Sequence, residues 1–189
     1  MRIMQKSTQE EGRVSITRDR IEQIVNECID ELIQNDLCLL QNDVSERAIT
    51  HKIAVYLQDR IPNLNVDCEY NRNFELGRFV SKRLAIPKFN GKKTIRTYPD
   101  IIAHHRMTND ENLLVIEVKK GNSKVSHDLD QEKLRAFTDK SNNYNFMYGV
   151  FILIYTGKRK RKDPELTWFV EGEISSSYTL ELGCQRNRK

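Results

Sequence analysis

Apolar residues in the first third of the chain repeat at the spacing of an α-helix. The first stripe predicts an amphipathic helix capped by Thr17, and its members are Ile21, Ile24, Val25, Cys28, Ile29, Leu32 and Ile33. We expect the stripe to pack within its own domain, and a dimer interface is the alternative. A second helix is expected from about Val44 to Arg60, because Pro62 favours its end there.

The remainder of the chain has the pattern of a sheet with one further helix. Three strand-like segments separated by polar stretches predict a meander, over Asn65–Arg72, Lys93–His105 and Asn112–Lys119. A third helix is expected to begin near Asp128, and two more strands are expected over Phe146–Tyr155 and Leu166–Val170. This order predicts an α/β fold of the α+β kind, with a mixed sheet.

The composition is typical of one globular domain. Of 189 residues, 38% are hydrophobic and 31% are charged. We expect a flexible N-terminal arm at residues 1–15, a single domain at 16–183 and a basic tail at 184–189. The longest apolar run is far shorter than the roughly 20 residues that cross a bilayer, so we expect a soluble, intracellular protein that does not enter a membrane. The formal charge of +4 is compatible with a polyanionic partner.

Cysteine usage indicates no zinc site. The four cysteines are widely scattered, without the paired spacing of zinc ligands, and we expect them to be reduced packing residues; they are Cys28, Cys38, Cys68 and Cys184.

Candidate chemistry lies on two of the predicted strands. Asp100 follows Pro99 at the start of one strand, and Glu117 and Lys119 lie on the next. Side chains alternate along a strand, so Glu117 and Lys119 share one face. If the strands pair, Asp100 comes beside Glu117, and two carboxylates suit Mg²⁺ or Mn²⁺. The alternative is an ordinary ion pair between Glu117 and Lys119.

Pro99-Asp100 followed by Glu117-Val118-Lys119 resembles the motif of the PD-(D/E)xK nuclease superfamily. The resemblance extends over about Val44 to Val170 and implies a restriction-endonuclease-like αβββαβ core, here with an extra N-terminal helix. It implies that Asp100, Glu117 and the main-chain carbonyl of Val118 bind Mg²⁺, for which Mn²⁺ can substitute, and that Lys119 is the catalytic lysine. The activity so implied is metal-dependent hydrolysis of nucleic acid.

Other residues have two interpretations each. Many members of the superfamily add a carboxylate from the first core helix, and Glu46 lies where one is expected, as a further catalytic and metal-binding residue. Asp43 and Glu46 also match a capping box, which would give Glu46 a purely structural role. Glu69 is a further acid that could reach the site. Gln131 matches part of a Q-x-x-x-Y element, but Arg135 replaces the tyrosine, which argues against the exonuclease-like subgroup.

A basic run forms the connection between the two final predicted strands. It consists of Lys158, Arg159, Lys160, Arg161 and Lys162. We expect these side chains to contact nucleic-acid phosphates, which bind cations without regard to sequence. A solvated hairpin tip and a nuclear-import signal are the alternatives.

These patterns favour a DNA endonuclease. The resemblance supplies the preference for DNA, and a double-strand cut needs two active sites, which makes a homodimer a candidate partner. One alternative is an inactive nuclease-like module that binds nucleic acid or a protein. Another alternative is a ribonuclease of the same fold.

Overall fold

The protein is a mixed α and β structure in which helices cover both faces of a six-stranded mixed sheet. The computed structural model describes residues 16–75, 77–88, 91–121, 126–158 and 162–182. The predicted N-terminal arm and C-terminal tail lie outside these residues. Within them the helices are α1 Arg18–Asn35, α2 Leu37–Gln41, α3 Glu46–Arg60 and α4 Asp128–Thr138.

The sheet has the order β1-β6-β7-β8-β9-β10. Its strands are β1 Asn65–Cys68, β6 Ile101–His104, β7 Leu114–Lys120, β8 Tyr148–Ile154, β9 Glu165–Val170 and β10 Glu173–Thr179. The pairing of β7 with β8 is parallel, and the other neighbours are antiparallel. The predicted meander therefore forms from β1, β6 and β7.

Two separate hairpins lie between β1 and β6. They are formed by β2 Arg72–Glu75 with β3 Arg78–Ser81, and by β4 Arg83–Lys88 with β5 Gly91–Arg96. The prediction of one strand over Lys93–His105 was wrong, because the chain leaves the hairpin after Arg96 and enters the main sheet at Ile101. Pro99 lies in this break, and proline lacks the N–H that a strand ladder requires. The strand expected to reach Arg72 ends at Cys68, because Glu69 has a left-handed φ of 48°.

The α1 stripe is buried inside the chain. All seven predicted apolar positions are buried, and they belong to the core cluster shared with α3 and with one face of the sheet. Thr17 is the N-cap, as predicted, and its side chain accepts a hydrogen bond from the amide of Arg20. A homodimer therefore remains a prediction, but this apolar stripe is already used within the chain and is not its contact surface.

The alternation of β7 separates two cores and positions the candidate chemistry. Ile116 and Val118 pack in the cluster with α1 and α3, whereas Val115 packs in the cluster with α4. Glu117 follows the same alternation toward α4. Each core packs on one face of the same strand, so β7 is buried on both faces.

The cysteine prediction was correct in part. Cys28 is buried and packs in the core, whereas Cys38 and Cys68 are exposed, so they are not packing residues. All three are free thiols, and Cys184 lies outside the described residues.

None of the helices in the described parts of the chain combines the length and the apolar character needed to cross a membrane.

Candidate active site

Strand pairing brings Asp100 and Glu117 together. The last pair of the β6–β7 ladder joins Ile101 and Ile116, so Asp100 and Glu117 occupy the next opposed positions. Asp100 Oδ2 accepts a hydrogen bond of 2.7 Å from the amide of Val118, which holds the carboxylate against β7. The chain thus places the two acids of the motif side by side. It is the amide of Val118, rather than its carbonyl, that contacts Asp100.

Glu117 is a buried carboxylate with one unsatisfied oxygen. The residue is 1% exposed, Oε2 lies 3.3 Å from Lys133 Nζ, and Oε1 is buried without a hydrogen-bond partner. Desolvation, and then the neighbouring charge of Asp100, raise the pKa of Glu117 well above its ordinary value. Burial likewise raises the pKa of Asp100, although the Val118 amide opposes that shift. Two adjacent acids in this environment favour a bound cation or a proton.

Lys119 is held by acids from two helices. Its Nζ lies 2.8 Å from Glu46 Oε1 and 3.7 Å from Asp130 Oδ2. Burial acts to lower the pKa of Lys119, but the hydrogen bond to Glu46 and the charge of Asp130 outweigh it and raise the pKa. Lys119 is therefore a fixed cation. No ion pair joins Glu117 to Lys119 among the described residues, so the simple pair considered from the sequence does not form.

Glu46 belongs to the site rather than to a capping box. Ser45 is the N-cap of α3 and accepts a hydrogen bond from the amide of Ala48. Glu46 instead directs one carboxylate oxygen to Lys119 Nζ and the other to the amide of Lys120, at 3.2 Å. The capping box considered from the sequence was wrong. Asp43, its expected first member, accepts a hydrogen bond from Thr156 and pairs with Lys120.

Helix α4 contributes two residues that complete the charge network. Asp130 and Lys133 form an ion pair of 2.7 Å one turn apart, and they reach Lys119 and Glu117 respectively. Both α4 residues are largely buried. The sequence pattern did not predict either residue as part of this network. The contacts show that Glu117 and Lys119 both project toward α4, as strand alternation predicts.

A cavity of about 350 Å³ opens beside Asp100. Its lining consists of Glu46, Arg47, Thr50, His51, Cys68, Glu69 and Asp100. Glu69 lines this cavity and pairs with Arg47 at 2.8 Å, so it reaches the neighbourhood of Asp100 with its charge already offset. Ligand sites are concave and carry a few convergent polar groups, and this cavity has both features.

The basic run connects β8 to β9 rather than the final two strands, because β10 follows. Of its five residues, Lys158 and Lys162 are exposed, and Arg159, Lys160 and Arg161 lie outside the described residues. Lys162 Nζ lies 5.1 Å from the ring centroid of Tyr155.

The donor set fits one hard divalent cation. The described residues include no group of three or more His, Cys, Asp or Glu side chains arranged to hold a metal. Mg²⁺, however, usually retains several waters and takes only one or two protein carboxylates. Asp100 and Glu117 supply two carboxylates, and the unpartnered Oε1 of Glu117 is a free oxygen donor.

Comparison of the sequence with models of known protein families and with curated proteins found no match.

Proposed function

We propose that this protein is a metal-dependent nuclease that hydrolyses phosphodiester bonds in nucleic acid, with DNA endonuclease activity as the favoured form. The observation that carries the proposal is the opposition of Asp100 and Glu117, with a buried, unpartnered carboxylate oxygen and with Lys119 and Lys133 beside them. Such a combination of desolvated acids and fixed lysines is costly unless it serves a ligand or a reaction.

The order of elements around the site supports membership of the PD-(D/E)xK superfamily. Helix α3, strands β1, β6 and β7, helix α4 and strand β8 follow one another in the αβββαβ order. The two hairpins interrupt this order but stay outside the main sheet. Asp100 precedes the second strand of that core and Glu117-Val118-Lys119 lies on its third, which is the placement that the superfamily motif implies.

Each residue has a role that follows from its position. Asp100 and Glu117 would hold Mg²⁺ or Mn²⁺, with the Val118 carbonyl as a further ligand. When bound, the metal supplies polarisation of the phosphoryl oxygen and a more acidic water. Lys119 has a raised pKa and stays protonated, so it stabilises negative charge that develops on the phosphate. Glu46 orients Lys119 through the 2.8 Å contact and is a candidate further ligand.

The test is cleavage of supercoiled DNA, linear duplex, single strands and RNA with Mg²⁺, Mn²⁺ or EDTA. We expect cutting that requires metal, that is abolished in Glu117→Gln and Asp100→Asn, and that persists in Glu171→Gln. The last variant is a matched control, because it removes an exposed carboxylate that pairs with Lys140 away from the site. Cutting by Glu117→Gln at the native rate would overturn the proposal. Cutting of RNA alone would identify the ribonuclease alternative.

A second function, that of a binding module without catalysis, is favoured by one observation. The lysines at the site already have acidic partners, since Lys119 contacts Glu46, Lys133 contacts Asp130, and Lys120 contacts Asp43. Lysines that are already paired with acids offer less free positive charge to a reacting phosphate. Binding of nucleic acid or of a protein partner without cutting under any metal would favour this module over the nuclease.

A further inference from the structure

The two hairpins start and finish at the candidate active site. They occupy the chain between β1 and β6, and the amide of Glu69 donates a 3.2 Å hydrogen bond to the carbonyl of Asp100. This bond joins the residue that leaves the main sheet to the residue that returns to it. The hairpins are therefore anchored at Asp100.

The hairpins carry a large net positive charge. Residues 72–96 contain eight lysines and arginines and one acid, Glu75, which gives this segment a formal charge of +7. The whole chain has a charge of +4, so the other residues together carry −3. A mildly basic protein thus carries much of its net positive charge in this inserted unit, and such a concentration of charge is typical of a surface that binds a polyanion.

Among the side chains that the structure describes, the arginines of the hairpins differ from other cations in having no acidic partner. Outside the hairpins and the 158–162 connection, every lysine or arginine among the described residues lies in an ion pair. By contrast, Arg72, Arg78, Arg83 and Arg96 are exposed and take part in none of the ion pairs formed within the described chain. Within the described chain, Arg83 and Arg96 in particular are therefore available to a ligand.

Two of these arginines oppose each other on a fixed frame. Arg83 and Arg96 are direct partners in the β4–β5 register, and like charges at such positions are destabilising unless an anion lies between them. The Tyr144 hydroxyl accepts a bond from the amide of Arg83 and donates one to its carbonyl, at 2.7 and 2.8 Å. Leu84 is buried against the core of α4. The arginine pair is thereby held in place at some electrostatic cost.

The arginine pair is also close to the candidate site along the chain. Arg96 precedes Asp100 by four residues, a distance of at most about 14 Å in an extended chain. Two exposed aromatic side chains lie near these arginines along the chain, Phe79 at 47% and Tyr98 at 48% exposure. Aromatic rings between arginines suit nucleic acid, because bases stack on the rings while phosphates contact the guanidinium groups.

We propose that the two hairpins are the principal nucleic-acid-binding surface of this protein, with Arg83 and Arg96 together holding backbone phosphates of the strand that passes Asp100. The choice of partner rests on the proposed function, but binding does not require that the site be catalytically active. An acidic protein surface would also complement this positive charge. Failure of the native protein to bind nucleic acid would point to such a partner instead.

The test measures binding in EDTA, so that no cleavage interferes. Fluorescence anisotropy with a labelled duplex DNA and the matching RNA would compare the native protein with the double variant Arg83→Gln, Arg96→Gln at several salt concentrations. The matched control is Arg20→Gln, Lys140→Gln, which removes two cations that have acidic partners. We expect the hairpin variant to lose about tenfold in affinity and its salt slope to fall by roughly 1.8, the value for two phosphate contacts. The control should match the native protein.

Further outcomes separate this inference from the nuclease proposal. Equal affinities and slopes in the hairpin variant and the control would overturn the inference, as would an absence of nucleic-acid binding by the native protein. A second pair, Arg72→Gln with Arg78→Gln, repeats the test on the other hairpin if the first variant fails to fold. Hairpin-dependent binding without cleavage would uphold the inference while refuting the nuclease. Cleavage by the hairpin variant at the native rate and at limiting substrate would support the nuclease proposal and refute this inference.

Discussion

The substitution Glu117→Gln is expected to stabilise the protein while it abolishes cleavage. The glutamine amide has the shape of the carboxylate and keeps an oxygen for Lys133, but it removes a buried charge beside Asp100. A residue kept only for stability would behave in the opposite way, and its replacement would weaken the fold. Stabilisation with loss of activity therefore indicates a functional acid.

The size of the effect follows from proton linkage. Burial raises the pKa of Glu117 well above its ordinary value of 4.5, so the folded state binds a proton that the unfolded state releases above that pH. Glu117 therefore does not lower the free energy of unfolding of the native protein below pH 4.5. Above that pH the free energy of unfolding falls as the pH rises toward the pKa that Glu117 has in the folded protein. The loss in the free energy of unfolding approaches about 1.4 kcal/mol per pH unit. For a chain of this length that corresponds to roughly 3–6 °C in melting temperature per pH unit.

Thermal unfolding of both proteins between pH 5 and 8, with EDTA or Mg²⁺, measures this effect. We expect the melting temperature of Glu117→Gln to exceed the native value in EDTA by a margin that grows with pH. Mg²⁺ at ten times its dissociation constant should stabilise only the native protein, by about 1.4 kcal/mol. Equal melting temperatures of the native protein and the variant across this range, with no change in the native value on adding Mg²⁺, would refute this prediction.

Three further predictions concern lysines. Lys82 is 3% exposed and burial lowers its pKa to about 7, so Lys82→Met should raise the free energy of unfolding at pH 7 on the order of 3 kcal/mol, with the gain disappearing near pH 10 in urea titrations. Lys119→Met removes the lysine partner of Glu46 and should reduce kcat at least about 100-fold, while the rise in melting temperature on adding Mg²⁺ persists. Turnover at the native rate would exclude Lys119 from catalysis. Lys158→Gln with Lys162→Gln should lower the salt slope of DNA binding by up to about 1.8, and an unchanged slope would remove the basic connection from the interface.

The strands that carry the motif were predictable because their signals are local. Alternation on β7 assigns Ile116 and Val118 to one core and directs Glu117 to the other side, and the structure shows that arrangement. Strand β10 was missed because its exposed polar residues give no apolar alternation. The hairpins were missed for a related reason, since Leu84 is the fully buried apolar residue among those of their side chains that the structure describes.

The complete charge network was less predictable, because it depends on how helices dock. The sequence places Asp100, Glu117 and Lys119 on neighbouring strands, and the structure brings them together. Asp130 and Lys133 sit among polar residues of an amphipathic helix, and only the rotation of α4 on the sheet decides which of these polar residues face inward. Their signal was available in one form, an acid and a lysine three residues apart, but that spacing is common on solvated helix faces.

The charges around Glu117 give a physical reason to expect a divalent cation. The charge network there contains four carboxylates and two ammonium groups. The carboxylates belong to Asp100, Glu117, Asp130 and Glu46, and the ammonium groups of Lys119 and Lys133 lie between them. If every acid were ionised, the cluster would have two negative charges in excess, and one Mg²⁺ ion would balance them. Without such an ion, burial and then the neighbouring acids raise the pKa values of Asp100 and Glu117, so the folded protein resists ionisation of these two groups. A bound divalent cation would give the unpartnered Oε1 of Glu117 a partner and would offset the cost of ionising these two acids.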